Sequence, residues 1–557
     1  MKNIAQAWLK HERDPQYKEE IRKAMQDPTL LQEYFGSRLE FGTAGLRGEM
    51  GPGPNRMNET VVLQTSTAIA KYIRSFHSSP SVVIGYDART RSDHFAKIAS
   101  AAFRTEGVTV FFFPYIVPTP LLAHAVVELN ATAGVMITAS HNPPKDNGYK
   151  VYWSNGAQII PPHDKGISQI IDTLPFPPPE PNATTKQHIV PEAISTGYMD
   201  AVQSLRVHQE TGIKIVYTPL HGVGGSWVER TLRRAGHTDL HLVKEQFEPD
   251  GNFPFAPFPN PEEDGSMSLA FELAQREQAD VIIANDPDAD RLAVAIRVDH
   301  TFQKLTGDQV GLLLANDLLR FRQWQNPMVA TTIVSSSQLK DIATEYDADY
   351  KETLTGFKWI ANQAIVHDRG DGEFVIGFEE ALGYSVGSVA RDKDGVSAAL
   401  LICDLVAYAK SQNKTLIDFL FEIYRKHGFA ISAQKSIKKP GSAGKKEISA
   451  MMDSFRNTPP KSFSGSEVIE QRDILHGTVK NMRTGDIQTV ELPKSNVLVF
   501  FLDNDERVIV RPSGTEPKIK FYFEVKRAIS TLSEWTKVEE DCKIRIQTLQ
   551  TGLLSQL

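Results

Sequence analysis

Short apolar runs alternating with amphipathic stretches constrain this chain more than any other feature. "SVVIGYD" (81–87), "VTVFFF" (108–113) and "AGVMIT" (133–138) have the length and composition of buried strands. Between them, "ARTRSDHFAKIASAAFRTEG" (88–107) closes on a Gly and "PTPLLAHAVVELN" (118–130) carries an early Pro, as helices do. Strands joined through helices make an α/β layer fold with a largely parallel sheet. Such sheets place ligands beyond the C-terminal ends of their strands. The loops that follow the strands are therefore where function is sought.

The alternation restarts at "IKIVYTPLHGVGGSWVERTLRRAG" (213–236) and runs through "LHLV", "SMSLAFELAQREQ" and "ADVIIANDPDADRLAVAI" (279–296). A third round comprises "GDQVGLLLANDLLRFR" (307–322), "MVATTIVSS", "SQLKDIATEY" and "FVIGFEE" (374–380). From about residue 430 the pattern becomes strand-rich, as in "VLVFFLDNDERVIVRPSGTEPKIKFYFEV", before the amphipathic "LSEWTKVEEDCKIRIQTLQ". The expected architecture is three related mixed-sheet α/β domains, 1–205, 206–303 and 304–430, followed by a C-terminal α+β domain, 431–557. A chain of 557 residues is too long for a single core, which agrees with that division.

Composition excludes several function classes. The net charge of -7 and the lack of a basic block argue against nucleic acid as a partner. Cys403 and Cys542 lie in helix-like segments without metal or CxxC spacing, which fits a reducing compartment. The N-terminus has no signal-peptide core, and no apolar run is long enough to span a membrane. A cytoplasmic protein without membrane partners is expected.

Four loops carry candidate chemistry. "NDPDADR" (285–291) places Asp286, Asp288 and Asp290 at every second position after an apolar strand. In extended backbone such residues point the same way. Three converging carboxylates would repel unless a hard cation such as Mg²⁺ sits among them; the same spacing also suits a solvated acidic turn. Arg291 would meet a phosphate or carboxylate, or simply pair with the aspartates. "RPSGTEPKIK" offers Arg511, Ser513, Gly514 and Thr515 as a phosphate cradle or a polar hairpin turn. In the Gly-rich "FGTAGLRGEMG", Arg47 could meet an anion, or the stretch could be a connector. Glu379 of "GFEEALGYS" could accept from sugar hydroxyls, and Lys358 of "TGFKW" could pair with a phosphate; both also suit helix-end charges.

"TASHNPPKDNGYKVYW" (138–153) sits after the strand "AGVMIT" and holds Ser140 beside His141. It lacks the G-x-S-x-G setting of a hydrolase elbow. Adjacent residues on extended chain point apart, so a Ser-His-Asp triad fits poorly. Phosphorylation of Ser140 fits better, since a phosphoserine of about -1.5 to -2 charges needs the cations that the other loops supply. Lys150, near other cations, is the preferred proton carrier through a lowered pKa, with His141 as the second candidate.

Together "TASHNPP", "DPDADR", "GFEEALGY" and "RPSGTEPKIK" resemble, in order, the four signature loops of the α-D-phosphohexomutase superfamily. "GTAGLRG" and "EEALGY" resemble its longer branch of phosphoglucomutases, phosphomannomutases and phosphopentomutases. The resemblance implies four domains around a central active-site cleft. It implies a phosphorylated Ser140 that ligates one Mg²⁺ with Asp286, Asp288 and Asp290. Arg47 and Lys150 would move protons or stabilise the phosphoryl group, and Arg291 would touch substrate. Gly356 and Lys358 would lie in the sugar-selecting turn, with Glu379 on the sugar. Arg511, Ser513, Gly514 and Thr515 would hold the idle phosphate. The implied activity is phosphoglucomutase, between α-D-glucose 1-phosphate and glucose 6-phosphate, with glucose 1,6-bisphosphate as intermediate and activator, in a monomer or weak dimer. Phosphomannomutase, phosphopentomutase and bisphosphate synthase are the alternatives, and a non-catalytic sugar-phosphate binder is disfavoured by the intact loops. One departure stands out: many members carry Glu-x-Ser in the sugar loop, whereas Ala381 follows Glu379 at that spacing.

Overall fold

The computed structural model of the chain describes residues 1–40, 45–439, 441–513 and 518–554. It comprises two compact units. One is Met1–Val310 with Phe357–Gln412, the other Gly311–Gly356 with Asn413–Leu557. The chain thus passes between the units after Val310, after Gly356 and after Gln412, the first two inside the third stretch of strand–helix alternation.

The first alternation in the sequence builds a six-stranded sheet. Its order is Leu46–Glu49, Asp146–Trp153, Ala133–Ile137, Ser81–Tyr86, Thr109–Phe112, Gln187–Ile189. Val83 lies opposite both Phe111 and Gly134 in parallel pairings. Parallel neighbours need a crossover, and the helices Ser92–Thr105 and Thr119–Glu128 provide them. Val82, Ile84, Val110, Val135 and Ile137 are buried in the resulting core. Three helices at the N-terminus, Lys2–His11, Pro15–Gln26 and Pro28–Phe35, add Ala5, Trp8, Ile21, Ala24, Leu31 and Phe35 to it.

Three strands of this sheet, Gln187–Ile189 among them, escape the periodicity argument, and the other two matter for the site. Leu46–Glu49 lies in the stretch that also read as a Gly-rich connector, and Asp146–Trp153 follows the Ser140 loop. They pair antiparallel, with Arg47 opposite Gly148, while Met136 faces Lys150. A Cβ on Gly148 would stand 2.5 Å from the Thr138 carbonyl oxygen and 2.9 Å from that of Leu46. Only a bare glycine lets these backbones approach so closely. That packing brings Arg47, the Ser140 loop and Lys150 to one end of the sheet.

The second sheet runs Thr301–Lys304, Leu292–Val298, Val281–Asn285, Ile215–Thr218, Leu240–Leu242. Val281–Asn285 is buried along its whole length and turns antiparallel into Leu292–Val298. The three aspartates occupy that turn. Also in this unit, Glu373–Glu379 pairs antiparallel with Gly383–Val386. The helix Gly395–Ser411 is apolar nearly all round and buried, and its N-terminus is capped by the Asp394 carboxylate.

In the second unit, Pro327–Thr332 pairs parallel with Asp349–Thr353 through the helix Gln338–Glu345. An antiparallel sheet follows in the order Phe429–Lys438, Lys518–Arg527, Arg507–Pro512, Leu498–Leu502, Ser466–Asp473, Thr478–Asn481, Ile487–Thr489. Val508, Ile509, Val510, Phe521, Tyr522 and Phe523 are all buried in it, so its central strands are covered on both faces. Mixed-sheet α/β elements followed by an antiparallel C-terminal sheet are the architecture expected from the periodicities. No helix among the described residues is long and apolar enough to cross a membrane.

Candidate active site

The three aspartates converge, though not by the geometry their spacing suggests. Residues 286–290 form a tight turn rather than extended chain: Ala289 has φ +55°, and its N–H donates to the Asp286 carbonyl at 2.9 Å. One carboxylate oxygen from each of Asp286, Asp288 and Asp290 lies within 4.8 Å of the others, and all three residues are buried. Burial and then repulsion from Asp288 and Asp290 push the Asp286 carboxyl well up. For Asp288 burial acts in the same direction, but Lys150 outweighs it and holds the group down. Asp288 Oδ1 and Asp290 Oδ1 are buried and accept no hydrogen bond among the described residues. Buried acceptors without donors are costly. An all-oxygen set with such orphaned atoms is the donor chemistry of a hard divalent cation.

Ser140 meets this turn directly. Its hydroxyl donates to Asp286 Oδ2 at 2.7 Å, and His141 Nδ1 lies 3.5 Å from the same hydroxyl oxygen. The loop is not extended here either. Ser140 has φ +52°, and its N–H donates to Thr138 Oγ1 at 2.9 Å. Burial first, and then Arg291, Arg47, Arg89 and Lys150, drive the His141 pKa well down, so its imidazole is neutral.

Lys150 corrects an expectation. Its ammonium sits 2.7 Å from Asp288 Oδ2 and 2.8 Å from Asp290 Oδ2. Burial lowers its pKa, but the two carboxylates outweigh burial and the net shift is upward. The lowered pKa expected from nearby cations is therefore overturned, because the charges touching Lys150 are negative. Arg47 donates to Asn142 Oδ1 at 3.1 Å. The Arg291 backbone N–H donates to Asp286 Oδ1 at 3.1 Å, while its guanidinium lies 3.6 Å from Glu262 and 3.8 Å from Asp290. Arg291 also bridges to Gly383, and the Leu292 N–H donates to the Leu382 carbonyl at 3.0 Å. The aspartate turn and the Glu379 hairpin are thereby joined by backbone. Glu379 faces Gly383 across that hairpin; burial lowers the pKa values of Arg291 and Lys393, but Asp290 and further carboxylates, Glu379 among them, carry both upward.

The remaining expected residues have contacts of their own. Lys358, in the first turn of Phe357–Asp368, has its ammonium 5.6 Å from the Trp359 ring centroid, and burial lowers its pKa. Gly356, at φ +111°, precedes that helix. In the second unit, Arg511 donates to Thr355 Oγ1, and the Ser513 N–H donates to the Lys518 carbonyl. Gly514 and Thr515 lie outside the described residues.

Periodicity and motif reading missed several participants. Lys393 places its ammonium 3.2 Å from both Asp290 and Asp392. Tyr152 and Gln158 each donate to Asp392 at 2.7 Å. Thr119 donates to Asp288 Oδ2 at 2.7 Å. Only Lys393 had a local signal, a lysine flanked by two aspartates ahead of a buried helix.

Domain models described as phosphoglucomutase/phosphomannomutase match the chain in series: α/β/α domain I over 38–177, domain II over 196–299, domain III over 306–427, and the C-terminal domain over 479–532. The chain belongs to the phosphoglucomutase/phosphomannomutase family. Its relatives are mutases, and it is an enzyme of that class. A Haemophilus influenzae protein named "Probable phosphomannomutase" is 40% identical over 84% of this chain and 93% of its own length. The human phosphopentomutase is 35% identical over 93% of this chain and 90% of its own. A Staphylococcus aureus phosphoglucomutase is 36% identical over 89% and 91%. Among solved structures, a Burkholderia thailandensis phosphoglucomutase/phosphomannomutase family protein aligns with TM-score 0.65 at 18% identity, over 92% of this chain and 98% of that one. That likeness shows the shared fold. The relatives' names leave the sugar open.

Proposed function

We propose that this mutase interconverts α-D-glucose 1-phosphate and glucose 6-phosphate through a phosphorylated Ser140 and glucose 1,6-bisphosphate. The observation that supports it is the Ser140 hydroxyl on Asp286, inside a buried group of three carboxylates and two lysines. In the forward half, the bond between phosphorus and Ser140 Oγ breaks as a bond to a free sugar hydroxyl forms. That hydroxyl gives up its proton. After the bisphosphate turns over, its other phosphoryl group returns to Ser140 and a proton returns to the oxygen released. Phosphoryl transfer demands positioning and charge neutralisation more than covalent help.

Within this reading, Asp286, Asp288 and Asp290, with the seryl phosphate, would hold Mg²⁺, which supplies charge neutralisation at the transferring group. His141, neutral and 3.5 Å from the serine hydroxyl, accepts the proton. Lys150, kept as an ammonium, stabilises the phosphoryl group, and Arg47 and Arg291 add cations beside it. Glu379 takes sugar hydroxyls, with Gly356 and Lys358 in the sugar-selecting turn. Arg511, Ser513, Gly514 and Thr515 are assigned the idle phosphate on their motif alone.

A pentose reading also has support: relatives named phosphopentomutase align over nearly the whole chain, and Ala381 lacks the hydroxyl that many hexose-acting members carry. Turnover of glucose, mannose and ribose 1-phosphates with Mg²⁺ and catalytic bisphosphate separates the two. The class itself is tested by peptide mapping after incubation with labelled glucose 1,6-bisphosphate. Label on Ser140 is expected, and label elsewhere would remove the proposal. Chelation is expected to stop turnover and added Mg²⁺ to restore it.

A further inference from the structure

Arg89 closes "YDAR", the turn after the strand Ser81–Tyr86, and its side chain is wholly buried. Asp87 lies 3.5 Å away as an ion-pair partner, and the Phe253 ring lies beneath the guanidinium, 4.9 Å from centroid to Cζ. The donors are directed at backbone. Nη1 donates to the carbonyls of Pro143 at 2.9 Å and Asp146 at 3.2 Å. Nη2 donates to the carbonyls of Ser140 at 2.6 Å and of Asn142. These carbonyls all belong to the loop that carries the reactive serine, and together they face one guanidinium.

A loop that turns its carbonyls inward loses their hydration and must pair them. A planar guanidinium presents diverging donors in fixed directions, whereas an ammonium offers three from one point and cannot reach such spread acceptors. Ser140 is held left-handed in this same loop, a conformation that persists only where its surroundings over-determine it.

We propose that Arg89 is a positioning residue: by pairing the inward carbonyls of residues 140–146 it holds Ser140 in the conformation that aims its hydroxyl at Asp286. This rests on Ser140 being the phosphoryl carrier.

The test uses the full chain with Arg89→Lys and Arg89→Ala, read by mutase kinetics and by amide hydrogen exchange. For Arg89→Lys we expect kcat to fall by roughly a hundredfold, the scale of a small misplacement of reacting groups, with KM nearly unchanged. Exchange should quicken over residues 138–148 while the strand Ser81–Tyr86 stays protected. Added guanidinium ion should restore part of the Arg89→Ala activity. Wild-type kcat in Arg89→Lys, or protection lost equally through the Ser81–Tyr86 strand, would overturn the proposal. If neither Arg89 variant folds, Phe253→Leu removes the ring under the guanidinium and keeps its donors. A smaller, loop-confined gain in exchange supports the proposal, and wild-type exchange and kcat overturn it. Should the wild-type enzyme fail to label at Ser140, the mutase reading falls, while the exchange comparison still decides whether Arg89 holds the loop.

Discussion

At Ser140 the backbone stands at φ +52° and the hydroxyl donates to a carboxylate whose own pKa is pushed up by burial and by its two acidic neighbours. A serine in that position gives a buried carboxylate a needed donor, besides the phosphoryl-carrier role proposed for it. Two effects of Ser140→Ala can therefore be told apart. Turnover should vanish, because no oxygen remains to carry the group. Stability should fall by about 1–3 kcal/mol, the cost of leaving a buried acceptor without its partner, which urea unfolding would measure, with the circular dichroism spectrum unchanged. His141 shows how far residue type alone carries: a histidine beside a serine first suggests a triad, and only its burial and cationic neighbours push its pKa down.

Among the elements, the turn between Val281–Asn285 and Leu292–Val298 depends on a helix distant in sequence. The Gly395 N–H donates to the Ala289 carbonyl at 3.2 Å, and a Cβ on Gly395 would stand 2.4 Å from the Arg291 carbonyl oxygen and 2.5 Å from Asn285 Nδ2. Two of these atoms are backbone of the aspartate turn, counting the carbonyl of Ala289 at 2.9 Å. Gly395→Ala should therefore push the turn away from the helix start. Overpacking of this kind costs about 1–3 kcal/mol. We expect a lower urea midpoint together with weaker Mg²⁺ activation, read as a raised half-activating Mg²⁺ concentration. An unchanged Mg²⁺ response would show that the turn does not lean on this helix.

For the molecule as a whole, both cysteines report on integrity. Cys403 and Cys542 are each 0% exposed, and burial raises both thiols, Cys542 to about 11 and Cys403 well above its usual value. Thiolates are the reactive form, so the native enzyme should show no fast-reacting thiol toward a disulfide reagent, and both should react in denaturant. Fast modification of either in native protein would mean that the helix Gly395–Ser411 or Trp535–Leu554 opens readily. The chain crosses between the two compact units after Val310, Gly356 and Gln412, and the first two crossings fall inside a single alternation of strands and helices. Periodicity reports local element type and is blind to which core an element joins.

Local order was legible in the residues themselves. Apolar runs such as Val281–Asn285 declare buried strands because burial on both faces excludes polar side chains. The loops after them declared candidate chemistry because carboxylates, cations and hydroxyls are grouped there against the average. What the tertiary structure alone decided was direction and charge state. The aspartates converge through a turn with a left-handed Ala289, not through extended alternation. Lys150 remains a cation because its nearest charges are Asp288 and Asp290, from another sheet. Arg89 and Lys393 enter the site from segments 51 residues before Ser140 and 103 residues after Asp290. Spacing along a chain fixes neither the path of a turn nor the field of remote charges, and both are settled only when separate cores pack.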